Sequence, residues 1–126
     1  FPDFTQVLPE ETDQKALVSR EMFNQSLKFV SLFASQKTNN VRLALGDEGL
    51  ELYASDPDRG EGRKVIPAEY GGQAVKAGYN YKYVLDVLNV LEGDEVSLEI
   101  IDTLSPTILR EPGDEQSLFV VMPMRL

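Results

Sequence analysis

The stretch QAVKAGYNYKYVLDVLNVLEG (Gln73–Gly93) changes its character halfway. Gln73–Tyr79 reads as a strand. Asn80 is a residue type that caps helices, because its side-chain oxygen accepts a bond from a first-turn N–H. From Tyr81 onward Val84, Leu85, Leu88 and Leu91 fall on one helical face, and Gly93 supplies a stop.

The same order occurs once before. In KALVSREMFNQSLKFVSLFASQ, Lys15–Ser19 reads as a strand and Arg20–Gln36 as a helix. Phe23, Ser26, Leu27, Val30, Phe33 and Ala34 make its stripe, while Phe29 and Leu32 lie off it. Ser19 suits the N-cap, and Glu21 suits the positive end of the helix dipole. Three strands follow each helix. After the first come VRLALG, with Val41, Leu43 and Leu45 alternating, the turn Gly46–Gly49, the strand GLELYAS, and then Arg63–Glu69. Pro67 makes this last segment an edge strand, since it has no N–H to donate. After the second come Glu95–Ile101, with Val96, Leu98 and Ile100 on one face, Thr107–Arg110 and Ser117–Met122. The chain therefore reads as a duplicated βαβββ unit, an α+β domain with two helices packed on antiparallel sheets.

Composition narrows the function. A length of 126 residues, 42% hydrophobic, suits one domain (1–126) with its own core. No apolar run approaches the length of a membrane span, and the acidic start FPDFTQVLPEE lacks a signal-peptide pattern. Phe1-Pro2-Asp3 reads like a cut connector, so a fragment of a longer chain is expected. Cysteine is absent, which removes disulfides and thiolate metal sites and fits a cytoplasmic location. Histidine is absent too, and with it the commonest general base and metal ligand. No serine elbow or phosphate loop is present, and Gly60-Glu61-Gly62 and Gly71-Gly72 read as turns. Asp56–Glu61 begins like a calcium loop, but Glu61 stands where glycine is needed and Pro67 where the closing glutamate belongs. Asp94, Asp102 and Asp114 sit beside turns and read as solvating residues. A net charge of −9 gives no bulk attraction for nucleic acid, so any DNA contact must be local or imposed by geometry. These features point to a binding module without metal or cofactor rather than an enzyme. A carboxylate-dependent hydrolase is the remote alternative.

Two surfaces are candidates for binding. One is the apolar end VVMPMRL (Val120–Leu126), which reads either as a last core strand or as a docking surface. The other is the end of the first helix, with Phe29, Leu32 and Phe33, which reads either as buried or as an interface.

Taken together, SLFVVMPMRL, GYNYKYVLDVLNVL, NNVRLAL and the opening FPDFTQVLP resemble the bacterial sliding clamp, the β subunit of the replicative DNA polymerase III. The resemblance runs the whole length and matches the C-terminal third domain of that three-domain chain. It implies a DNA-clamp domain within a head-to-tail homodimeric ring. The ring encircles duplex DNA and tethers polymerases, the clamp loader and repair proteins to it. The mechanism it implies is topological: a closed ring keeps its partner at a high local concentration without gripping DNA.

The resemblance also implies site residues. Partners carry a motif of the form Gln-x-x-Leu-Phe, which enters a hydrophobic pocket. On this domain the pocket would use Pro2, Val7, Asn80, Tyr83, Leu104, Val120, Val121, Met122, Pro123, Met124 and Arg125. Methionine is flexible and adapts to varied anchors, and Pro123 stops further strand pairing. Gln6 stands at a position often basic in the family, Pro106 where some relatives have a small polar residue, and Thr38 where some have a larger apolar one. Phe29, Leu32 and Phe33 match the subunit interface, where the edge strand Arg63–Glu69 would pair across. Arg59, Arg63 and Lys64 there are mixed with Asp58 and Glu61, in place of a purely acidic run. Arg20, Lys28 and Lys82, on the two helices, are candidates for the DNA-facing side, or else ordinary solvated residues. A stand-alone acidic adaptor of clamp-like topology is the alternative to this reading.

Overall fold

A computed structural model describes residues 15–112 and 118–124 of the chain. In order, the elements are β1 (Lys15–Ser19), α1 (Arg20–Ser31), β2 (Asn40–Gly46), β3 (Gly49–Asp56), β4 (Gly60–Ile66), β5 (Ala68–Glu69), β6 (Val75–Asn80), α2 (Tyr81–Val90), β7 (Glu95–Glu99), β8 (Thr107–Arg110) and β9 (Leu118–Val121). The two βαβββ units are present, with β5 as an added piece between them.

Both caps form as the sequence requires. Ser19 Oγ accepts from Met22 N at 3.2 Å, and Asn80 Oδ1 accepts from Lys82 N at 3.0 Å. Both helices stop earlier than the periodicity suggests. After Ser31 the chain tightens into three-residue bonds, Phe33 N to Val30 O and Ala34 N to Ser31 O, so the apolar stripe continues without the helix. The second helix ends because Leu91 turns extended, with ψ 145°. Gly93 is not its cap. Instead, the Gly93 carbonyl accepts a 2.6 Å bond from Arg20 Nε, tying the start of one helix to the exit of the other.

The strands form two antiparallel sheets, of order β5-β1-β7-β8-β9 and β4-β3-β2-β6. The first strand of each unit is exchanged: β1 pairs with β7, and β6 pairs with β2. Each sheet is therefore completed by the other unit. The predicted strand Arg63–Glu69 divides at Pro67. Its first part is the edge of the four-stranded sheet, and its last two residues pair with β1 at the edge of the other sheet. The missing N–H of proline lets the chain leave one ladder and enter another.

Phe23, Leu27 and Val30 of α1 and Val84 and Leu88 of α2 join Leu43, Leu52, Ala77, Tyr79, Val96, Leu98 and Val121 in one core. Tyr79 is buried, and its hydroxyl bonds Thr107 Oγ1 across the two sheets. Burial pushes the pKa of its phenol up to about 12, against a smaller opposing effect of the Thr107 bond. On β7 the alternation is incomplete: Val96 and Leu98 face the core, yet Ser97 and Glu99 on the opposite side are also buried. They share that face with Arg110, which pairs with Ser97 in the ladder.

Candidate protein-docking site

The end of the chain crosses from one sheet to the other. Val121 closes β9 opposite Thr107 and is 4% exposed, so its side chain belongs to the core. Its neighbours point outward, Val120 at 54% exposed and Met122 at 61%. The chain then passes Pro123 and reaches the outer edge of β6, the side away from β2. There Met124 N donates to Gly78 O at 2.6 Å and makes a one-residue antiparallel bridge. Pro123 has no N–H, which suits a residue lying between two ladders.

Beside this tail runs the loop from Ile101 to Pro106. Thr103 Oγ1 donates to Lys76 O at 2.9 Å, two residues along β6 from the Met124 anchor. Asp102 organises the loop, accepting from Leu104 N (2.9 Å), Ser105 N (2.7 Å) and Ser105 Oγ (2.9 Å). The Leu104 N–H, then the Ser105 hydroxyl and N–H, hold its carboxyl below the ordinary aspartate range. Leu104 is thereby presented to solvent at 73% exposed. Just past β6, the first turn of α2 presents Tyr83, also exposed, while the Asn80 side chain is occupied with capping. The edge of β6 thus carries the loop of Leu104 and the Met122–Met124 tail, with Val120 exposed on β9 and Tyr83 exposed in the helix turn that follows β6. Pro2, Val7 and Arg125 lie outside the described residues. Asp102 and Thr103 were not singled out for the site from the sequence. The signal was there in an Asp followed three residues later by Ser, a local turn pattern.

A second apolar surface lies at the end of α1. Phe29 and Phe33 meet edge to face, with centroids 5.6 Å apart. Leu32 and Phe29 are exposed, and Phe33 is half-buried over Gly62 of β4. Lys64 Nζ stands 4.9 Å from the centre of the Phe29 ring, and Arg59 Nη1 donates to Leu32 O at 3.1 Å. Arg63 is paired with Glu51, which also lies 3.8 Å from Arg42. Among the described residues, β4 has no ladder partner on its outer side.

The helices lie side by side, joined by Asn24 Nδ2 to Asn89 Oδ1 at 3.2 Å. Lys28 and Lys82 are exposed. The guanidinium of Arg20 is half-buried and engaged with the carbonyls of Gly93 and Leu88, so its charge is fixed rather than free to reach. Glu21 and Asp86 interrupt the basic residues on the same helices. No group of three or more His, Cys, Asp or Glu among the described residues is placed to hold a metal ion. No described helix is long and apolar enough to cross a membrane.

A duplicated βαβββ domain with exchanged first strands, two helices side by side and an apolar tail on a sheet edge defines a clamp-type domain. The family model for the DNA polymerase III beta subunit, C-terminal domain, matches residues 5–125, and the chain belongs to that family. It is 33% identical to the beta sliding clamp of Pseudomonas putida over 126 residues, covering 100% of this chain and 34% of that protein. Against the beta sliding clamp of Escherichia coli K12 the identity is 30%, with the same coverage. A crystal structure of the Pseudomonas aeruginosa DNA polymerase sliding clamp superposes with TM-score 0.88 at 31% identity, covering 100% of this chain and 35% of that one. A Bartonella birtlesii sliding clamp bound to griselimycin gives 0.86 at 29%, covering 100% and 34%. The chain thus spans about a third of the length of the relatives it matches.

Proposed function

We propose that the chain serves as the third domain of a three-domain sliding clamp, a processivity factor of cytoplasmic DNA replication. Two such chains would form a head-to-tail ring around duplex DNA. Membership of the family and end-to-end similarity to beta sliding clamps support this reading. The observation that carries its docking part is the apolar tail fixed to the outer edge of β6, where Met122 stays 61% exposed although the backbone is anchored. An anchored but uncovered apolar segment is ready to receive Leu and Phe side chains of a partner peptide at little ordering cost. Phe29, Leu32, Phe33 and the outer edge of β4 would meet the partner chain by adding a strand to the sheet. Lys28 and Lys82 would face DNA among interspersed carboxylates, giving contact without tight grip. The reading requires no catalytic group: the work is tethering.

The test is an NMR titration of the chain with an acetylated Gln-Ala-Ala-Leu-Phe peptide. Shifts are expected at Tyr83, Leu104, Val120 and Met122–Met124, and deletion of residues 122–126 removes them. Absence of any shift at millimolar peptide contradicts a docking role for this surface.

A further inference from the structure

Leu104 is the most exposed large apolar side chain described, so packing does not hold it in place. Its position depends on the loop that carries it. Two bonding systems define that loop. The Asp102 carboxylate gathers Leu104 N, Ser105 N and Ser105 Oγ, which closes residues 102–105 into a hydrogen-bonded turn. The Thr103 hydroxyl ties this turn to Lys76 O on β6. The tail is tied to Gly78 O on the same strand. Carbonyls two residues apart on a strand point to the same side, so loop and tail hang from adjacent pegs of one sheet edge.

We infer that Asp102 and Thr103 are positioning residues of the docking patch, fixing the distance between Leu104 and the Met122–Met124 tail and thereby the width offered to a partner's apolar anchors. This rests on the docking reading above. Pre-organisation supplies the mechanism: an unbonded loop would have to order itself when the peptide arrives, and affinity would fall accordingly. The carboxylate acts through Leu104 and need not touch the peptide.

A double-mutant cycle tests this, with the same acetylated pentapeptide titrated into the chain and its variants. Asp102→Ala is expected to weaken binding about fivefold, the scale of lost charge-assisted hydrogen bonds to the backbone. In a Leu104→Ala background the same change is expected to have no further effect, because the group being positioned is gone. Thr103→Val should weaken binding, and Thr103→Ser, which keeps the donor, should restore it. The amide shifts of Leu88 and Leu98, in the core, report that each variant remains folded. Unchanged affinity in Asp102→Ala, or an equal loss with and without Leu104, overturns the inference while leaving the docking reading intact. Failure of the unaltered chain to bind removes both.

Discussion

Glu99 is a buried acid whose environment leaves it incompletely satisfied. It is 2% exposed, its Oε1 has no hydrogen-bond partner, and Arg110 Nε and Nη2 nearby are likewise buried without one. Lys15 lies opposite it in the ladder. Desolvation raises its pKa, against smaller opposing pulls from Lys15 and Arg110. Because the folded-state value lies above the unfolded one, protonated Glu99 favours the fold. That contribution is complete below the ordinary glutamate range and is lost as pH rises through the raised value. At neutral pH the ionised carboxylate therefore opposes folding. Glu99→Gln, which keeps the shape and removes the charge, is expected to raise the melting temperature at pH 7, with a gain that shrinks towards zero near about pH 4. Thermal melts of both proteins across that range check it. A lower melting temperature for the variant at pH 7 would mean that attraction to Lys15 and Arg110 outweighs desolvation.

At the scale of elements, what was legible in the sequence was what bonds locally. Ser19 and Asn80 cap the helices because their side chains reach N–H groups two or three residues away. The off-stripe positions Phe29 and Leu32 are exposed as their spacing requires. What needed the structure depends on distant partners. The exchange of β1 and β6 is set by ladders to β7 and β2, which periodicity does not encode. The Thr103 anchor was equally hidden, because its acceptor is a backbone carbonyl 27 residues away. Glu99 and Ser97 were hidden because alternation on β7 implies a solvated far face. Pro67 marked an edge, but its larger role appears only beside Pro123. Each proline follows the last full strand of its unit, and each lets the chain cross to the first strand of that unit, β1 for one and β6 for the other. The tail is thus the second copy of a device already used at β5. The packing of α1 on β4 makes a prediction at this scale. A Cβ at Gly62 would lie 2.7 Å from Phe33 Cε2, with Cδ2 and Cγ of the same ring also in the way. Gly62→Ala is expected to displace that ring and destabilise the chain by about 1–3 kcal/mol, read as a lower urea midpoint with unchanged slope. Since Phe33 is half-buried, an unchanged midpoint would show that the ring swings into solvent freely.

The whole molecule is a repeat that cannot be divided into its repeats. Were the two βαβββ units independent, each would keep its own sheet, and residues 1–72 and 73–126 would fold separately. The exchange forbids this. Without the second unit, β1 loses the β7 ladder that runs from Lys15↔Glu99 to Ser19↔Glu95. Without the first, β6 loses every ladder from Asn40↔Asn80 to Leu45↔Val75. Each fragment would also uncover its half of one core, in which Phe23 and Leu27 from the first unit share space with Leu88 and Leu98 from the second. A half-chain left with exposed strand edges and an open apolar face buries too little surface to offset its conformational entropy. The join is permissive by contrast: Gly71 is exposed, and a Cβ there meets nothing within 4 Å. Cutting between Gly72 and Gln73 is therefore expected to give two fragments that are each unfolded alone. Mixed at equal concentration, they should regain the native NMR spectrum, with a melting temperature that rises with concentration as association requires. Dispersed amide resonances from residues 73–126 alone would show that a single unit carries its own fold, and the exchange of first strands would then be a matter of arrangement rather than of stability.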